Sequence, residues 1–232
     1  MRECINRLDT VTWRTMEAMT TNRLFLASGS PRRRAFLTDL GLAFRVQSAD
    51  IDETPLAGEL PAPLAIRLAQ GKARAVADRL RAAGEDGLVL AADTVVALDD
   101  QLLGKPVDAA EARRMLAAMR GRTHQVVTAV CVLEIGSGQE ETRSSIADVK
   151  MRIYTNDEIE RYINSGDPFD KAGGYAIQNT EFAPVEGWAG SYTAIMGLPL
   201  EDVAPMLAHF GVEIAPQRLD QALRDAEGKG GR

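Results

Sequence analysis

The sequence predicts a mixed α/β fold, a central sheet with flanking helices, and three observations carry that expectation. An apolar stub, "LFLA" at 24–27, runs through "SGSP" into a helical stretch, the strand–turn–helix order of an α/β unit. A long alanine-rich segment over about 61–84 leads into "GLVLAAD", an apolar run of the length of a strand buried on both faces. Two β-rich stretches, near 123–135 and 141–154, flank a turn containing "GSGQ", the pattern of an antiparallel pair.

Taken in order, residues 1–22 show no sustained apolar period and are expected to be a disordered N-terminal extension, ahead of one domain over 23–212 and a charged C-terminal tail over 213–232. The first helix has Ser30 as N-cap, Pro31 at its first position and Gly41 as its stop. "FRVQSA" at 44–49 follows as a second strand, and "TVVALDDQLLGKP" at 94–106 reads as a hairpin turning at Asp99 and Asp100. After the helix "DAAEARRMLAAMRG" and the antiparallel pair come a short helix at "NDEIERYINSG", the glycine-bearing segment "DPFDKAGGYAIQ" and a last helix beginning near "LPLEDVAPMLAHFG".

At 232 residues with 45% apolar content, the chain can fill a sizeable core. A formal charge of -6 argues against affinity for duplex nucleic acid or an anionic membrane, so any basic cluster needs a local reason. Cys4 and Cys131 form no metal-type or redox-type pair, which fits a reducing compartment and makes the cytoplasm the expected location. The longest apolar stretch, "VVTAVCVL" at 126–133, is far too short to span a bilayer, and the N-terminus lacks the apolar core of a signal peptide. His124 and His209 lie far apart in sequence, so a metal here would be oxygen-bound. The phosphate loop, dinucleotide and hydrolase-elbow motifs are all absent from the sequence.

The strongest local signal is "SGSPRRR" at 28–34. A helix start offers free N–H donors at the positive end of the macrodipole, where cations are unfavourable by roughly a few tenths of a kcal/mol each. Arg32 and Arg33 fit that place if phosphate completes the charge balance beside the serine hydroxyls, with Arg34 left on the surface. Any one arginine alone reads as a solvated residue whose stem covers the helix. Removing Arg32 or Arg33 is expected to leave the unliganded fold as stable as before, because the dipole is relieved. Asp93 closes the run "LVLAA", which puts an acid at the carboxyl end of a central strand, where open α/β sheets bind ligands; a turn cap is the plainer alternative. Lys72 interrupts the apolar row between Leu68 and Val76, either snorkelling to solvent or pointing into the same cleft. Lys105 in "LGKP" and Glu53 in "DIDETP" lie on loops, and Lys171 precedes a glycine pair that lets backbone approach a ligand. Together these features point, at class level, to magnesium-assisted chemistry on a polyphosphate.

The motifs "LASGSPRR", "DETP", "AADTVV", "LGKP", "GRTHQVVTAV", "SGDPFDKAGGYAIQ" and "GSYTAIMGLPL" occur in one order from about Leu24 to Phe210, and in this the sequence resembles the Maf-family nucleoside triphosphate pyrophosphatases. The resemblance implies a body similar to the inosine triphosphate pyrophosphatases, with two lobes around a cleft, and hydrolysis of a nucleoside triphosphate to monophosphate and pyrophosphate with a divalent cation, Mg or Mn. It makes Asp93 the catalytic acid-base residue or a direct metal ligand, with Glu53 as second metal carboxylate. It places Arg32, Thr94 and Gln178 at positions of substrate choice, and Ser28, Arg33, Lys72 and Lys105 at phosphate-handling positions. Asp-Thr with later "DKAG" and "IQ" resembles the branch acting on dTTP and UTP, and the Gln178 amide can both donate to and accept from a pyrimidine edge. The alternatives are a branch acting on 7-methyl-GTP or other modified nucleotides, and a nucleotide-binding regulator of septum formation without turnover. The expected partner is the nucleoside triphosphate, with neither nucleic acid nor membrane; a homodimer is left open.

Overall fold

The computed structural model describes residues 23–99 and 101–228. The expected N-terminal extension and Asp100 of the hairpin turn lie outside the described residues. In chain order the elements are β1 (Leu24–Leu26), α1 (Pro31–Asp39), β2 (Phe44–Val46), α2 (Pro61–Ala82), β3 (Leu88–Leu98), β4 (Gln101–Leu103) and α3 (Ala109–Met119). They continue with β5 (Thr123–Glu134), β6 (Glu140–Met151), α4 (Asn156–Asn164), β7 (Val185–Ala189), α5 (Tyr192–Ile195), α6 (Leu200–His209) and α7 (Pro216–Gly228).

The strands form one mixed sheet in the order β2-β1-β3-β5-β6-β7, with β4 paired to β3. β1 runs parallel to β2 and β3, and the pairs β3–β5, β5–β6 and β6–β7 are antiparallel. Helices cover both faces, which gives two apolar clusters. Phe25, Val89 and Cys131 pack under Leu64, Leu68 and Val76 of α2 on one face. Leu26, Leu90 and Val130 pack with Leu37, Leu116 and Tyr192 on the other. α2 lies close to the sheet because Ala65, Ala69, Ala73 and Ala77, spaced by four, present no bulk to it. Local chemistry sets the helix ends: Asp108 accepts from the Glu111 N–H at the start of α3, and Thr155 with Glu158 forms a capping box on α4. Among the described residues no helix is long and apolar enough to cross a membrane.

Two expectations are corrected. First, β3 does not end at Asp93. "LVLAAD" and "TVVAL" form a single strand of 11 residues, so Asp93 sits mid-strand. An acid normally breaks such a run, but the Lys72 ammonium pairs with this one and removes the penalty for burying its charge. Second, "LPLEDVAPMLAHFG" is not the last helix, because residues 216–228 of the expected tail form α7. Ala222 and Ala226 are buried, and Leu219 and Leu223 pack beside them on the larger cluster. This stripe is made half of alanine among nine polar, charged or turn-forming residues, so its apolar period is weak in sequence.

The sheet also opens a gap. β1 pairs only with residues 88–90 of β3, and β4 only with residues 96–98. Over 91–95, β3 therefore has a strand neighbour on its β5 side alone. Asp93 and Thr94 stand in that window, on opposite faces of the sheet because successive strand residues alternate.

Candidate active site

A cleft of about 640 Å³ wraps around this open edge of β3, within the size range of small-molecule sites. Ser28, Arg32, Arg33, Glu53, Lys72, Asp93, Thr94, Lys105 and Gln178 all line it, so the structure brings every sequence-derived site residue to one place. They come from the turn after β1, the start of α1, the loop before α2, α2, the bare stretch of β3, the loop after β4, and the segment following the glycine pair.

On one face of the sheet, the Lys72 Nζ lies 2.6 Å from Asp93 Oδ1 and 2.8 Å from Glu53 Oε1. Asp93 is buried, whereas the Glu53 side chain is about half exposed at the mouth. Lys72 therefore does not snorkel away; the gap in the apolar row of α2 exists because the ammonium turns inward to two carboxylates. Among the described residues no group of three or more histidine, cysteine or acidic side chains is placed to hold a metal ion. Asp93 and Glu53 already share one cationic neighbour, and two carboxylate donors suit a hard cation whose remaining ligands are substrate oxygens and water.

On the other face, the arginines separate. Arg34 is exposed, as expected. Arg33 turns into the protein: Nε donates to the Gly197 carbonyl at 2.7 Å, Nη1 to the Ala92 carbonyl at 2.8 Å and to Ser28 Oγ at 3.0 Å, and Nη2 to Thr94 Oγ1 at 3.0 Å. It thereby satisfies the Ala92 carbonyl that β3 leaves without a strand partner. Burial pulls the guanidinium down to about 10, with Asp93 opposing the shift, so it stays cationic at neutral pH. The expectation that Arg33 can be removed without affecting the unliganded fold is corrected, because these four contacts outweigh a dipole effect of tenths of a kcal/mol. Gly197, at φ +98°, leaves room for this contact; a Cβ there would lie 3.2 Å from Thr94 Oγ1.

Thr94 is likewise committed. Thr128 Oγ1 donates its one proton to the Ala194 carbonyl at 2.8 Å, so at 2.9 Å it must accept from Thr94, and Thr94 then accepts from Arg33. Lys171 is also tied internally, donating to the Asp167 carbonyl and to the Asp167 and Asp170 carboxylates at 2.6 to 2.9 Å. The glycine pair beside it serves protein packing, which corrects the expectation of a ligand approach. A Cβ at Gly173 would lie 3.1 Å from Val96, and one at Gly174 3.4 Å from Pro106. By contrast, the side chains of Arg32, Lys105 and Gln178 line the cleft with no hydrogen bond or ion pair to other described residues.

The whole sequence arranged around this cleft, residues 23–210, matches the family model described as Maf-like protein. The chain belongs to the Maf-like family. Among Maf-like relatives, a protein named dTTP/UTP pyrophosphatase from Chromobacterium violaceum is 48% identical over 202 residues, covering 84% of this chain and 100% of its own. One of the same name from Pelotomaculum thermopropionicum is 44% identical over 191 residues, covering 82% and 98%. A solved structure titled as a nucleoside-triphosphatase / dITP/XTP pyrophosphatase from Mycobacterium abscessus overlaps at a TM-score of 0.35 with 19% identity, over 56% of this chain and 74% of that one. So slight an overlap carries no argument.

Within this Maf-like site, sequence reasoning missed the supports. Thr128 reads as an interruption of an apolar strand, and the signal that could have found it is a hydroxyl facing a fully buried position. Tyr175 lines the cleft and its hydroxyl lies 2.8 Å from Nε2 of buried His124, with the rings edge to face at 5.2 Å. Burial lowers His124 to about 4, which keeps the imidazole neutral at physiological pH.

Proposed function

We propose that this protein hydrolyses a pyrimidine nucleoside triphosphate, dTTP or UTP, to the monophosphate and pyrophosphate. The observation that carries the reading is the Glu53–Lys72–Asp93 cluster at the open edge of β3, inside a cleft that also holds the unpaired cations Arg32 and Lys105. The dTTP/UTP pyrophosphatase names of relatives at 41 to 48% identity support the substrate class.

In this reading the triphosphate lies along the start of α1, where Pro31 removes one N–H and the Ser30 side chain makes no cap bond, which leaves the N–H groups of the first turn without a side-chain acceptor. Arg32 from the start of α1 and Lys105 from the loop after β4 meet the phosphate oxygens, and Ser28 offers its hydroxyl proton. Lys72 turns from its two carboxylates toward the transferring phosphoryl oxygens as substrate arrives. A water attacks phosphorus, its proton passes to an Asp93 carboxylate oxygen, the α–β anhydride bond breaks, and pyrophosphate leaves with that electron pair. Asp93 and Glu53 are the residues that would hold a divalent cation, Mg or Mn, which when bound neutralises charge on the phosphates. Gln178 reads the pyrimidine edge through its free amide. Arg33 and Thr94 act one step removed, fixing the wall that carries Ala194 and Gly197.

The test is a panel of dTTP, UTP, 7-methyl-GTP and purine triphosphates with Mg or Mn, scored for pyrophosphate. Turnover of dTTP and UTP at least about tenfold above the purines, the discrimination one or two hydrogen bonds supply, is expected. Binding without turnover of any of them would overturn the enzymatic reading.

A further inference from the structure

Glu53 stands on a segment without regular structure between β2 and α2, and its side chain is about half exposed, so its position at the cleft needs an explanation. The explanation lies five residues before Lys72 on the same helix. Arg67 grips the Glu59 carboxylate with both arms of its fork, Nε to Oε1 and Nη2 to Oε2 at 2.7 Å each, and Nη2 also reaches the Thr54 carbonyl at 3.1 Å. Glu59 in turn accepts from the Leu56 N–H at 2.9 Å, and Asp52 accepts from the Thr54 N–H at 2.9 Å. The residue next to Glu53 is thus bonded through both its backbone groups. One helical turn after Arg67, Gly71 provides a seat for the other side of the loop: a Cβ there would lie 3.3 Å from Ile51 Cδ1. Arg67, Gly71 and Lys72, at i, i+4 and i+5, present to the loop a clamp, a seat and the ammonium that Glu53 meets.

We propose that Arg67 is a positioning residue, which through Glu59 and the Thr54 carbonyl holds Glu53 at the cleft in place to bind a divalent cation. The proposal rests on the reading of Glu53 as a metal carboxylate given above. An irregular loop free to move would have to be ordered each time a cation bound, and that ordering opposes binding. A loop already fixed by a bidentate charged pair avoids it. The fork matters: lysine supplies the charge but cannot make two parallel bonds and reach a carbonyl besides.

The experiment compares Arg67→Ala, Arg67→Lys, Glu59→Gln, Glu53→Gln and the double variant Arg67→Ala/Glu53→Gln in the full chain. Mn²⁺ binding is measured by electron paramagnetic resonance with α,β-methylene-dTTP present, and the Mg²⁺ dependence of dTTP turnover is measured alongside. Loss of a group that orients a metal ligand typically weakens metal affinity by about 10- to 100-fold, and Arg67→Ala is expected within that range while kcat at saturating Mg²⁺ stays within about threefold. Arg67→Lys and Glu59→Gln fall between Arg67→Ala and the unaltered protein, and the double variant matches Glu53→Gln alone, because a clamp has nothing to position once its ligand is gone. If Glu53→Gln weakens Mn²⁺ binding but Arg67→Ala and Arg67→Lys leave it unchanged, or if the two effects add fully, the clamp is overturned while the Glu53 reading stands. If Glu53→Gln itself leaves Mn²⁺ binding unchanged, the Glu53 reading fails and the positioning role falls with it.

Discussion

At the scale of single residues, "SPRRR" shows how one motif divides its work. Arg32 faces the cleft unpaired, Arg33 ties α1 to β3 and to Gly197, and Arg34 is exposed. Arg32→Ala should therefore lower kcat/KM for dTTP about tenfold or more with the melting temperature unchanged, the ordinary loss for one charge-assisted phosphate contact. Arg33→Ala should destabilise the unliganded protein by about 2–4 kcal/mol, since it strands the Ala92 and Gly197 carbonyls, and Arg34→Ala should do neither. Thermal melts and steady-state kinetics on the three variants check this. Direction is illegible at this scale: the residue types at the helix start fit the proposed phosphate site, but nothing in the spelling tells which arginine turns inward to fill a missing strand contact. His124 gives a second prediction. Its folded value of about 4 lies below the ordinary 6.5, so between these pH values the unfolded chain binds more protons and stability falls as pH falls. The contribution is intact above about pH 6.5, and by pH 5 the loss from this residue is about 2 kcal/mol. Stability measured by denaturant at pH 7 and 5 should show that slope in the unaltered protein and lose it in His124→Gln. Glu59, held at about 2 by Arg67, titrates below this window and leaves it clear.

At the scale of elements, strands and helices with strong apolar periods were legible, and those whose stability comes from partners were not. α2 and the β5–β6 pair announce themselves in sequence, because their burial patterns match their own side chains. β3 reads in sequence as two pieces, since an aspartate in mid-strand is tolerated only when a lysine from another element neutralises it. α7 reads in sequence as tail because half its contact stripe is alanine; the larger apolar surface belongs to the core it covers. Deleting residues 216–232 removes the packing of Leu219 and Leu223 and uncovers the core face beneath Ala222 and Ala226, and should lower stability by about 2–4 kcal/mol, the size of one or two lost large apolar contacts. A melting temperature equal to that of the full chain would show that α7 docks too weakly to matter.

At the scale of the whole molecule, the cleft exists because two short strands fail to cover a long one. β1 stops at Leu26, opposite Leu90, and antiparallel β4 stops at Leu103, opposite Val96, so five residues of β3 face an opening into which α1, α2 and the loops around them send charged side chains. The apolar pattern encodes the strands; the difference in their lengths, which sets the width of the opening, becomes visible only in the pairing register. The central claim is that this opening cleaves the α–β bond of a pyrimidine nucleoside triphosphate with Asp93 as the proton acceptor. The direct measurement is ³¹P NMR of dTTP incubated with Mg²⁺ and either the unaltered protein or Asp93→Asn. The unaltered protein should yield dTMP and pyrophosphate in equal amounts, and Asp93→Asn should do so about 10² to 10⁴ times more slowly, the usual contribution of a general base. Appearance of dTDP and inorganic phosphate, or an Asp93→Asn rate equal to that of the unaltered protein, would contradict it.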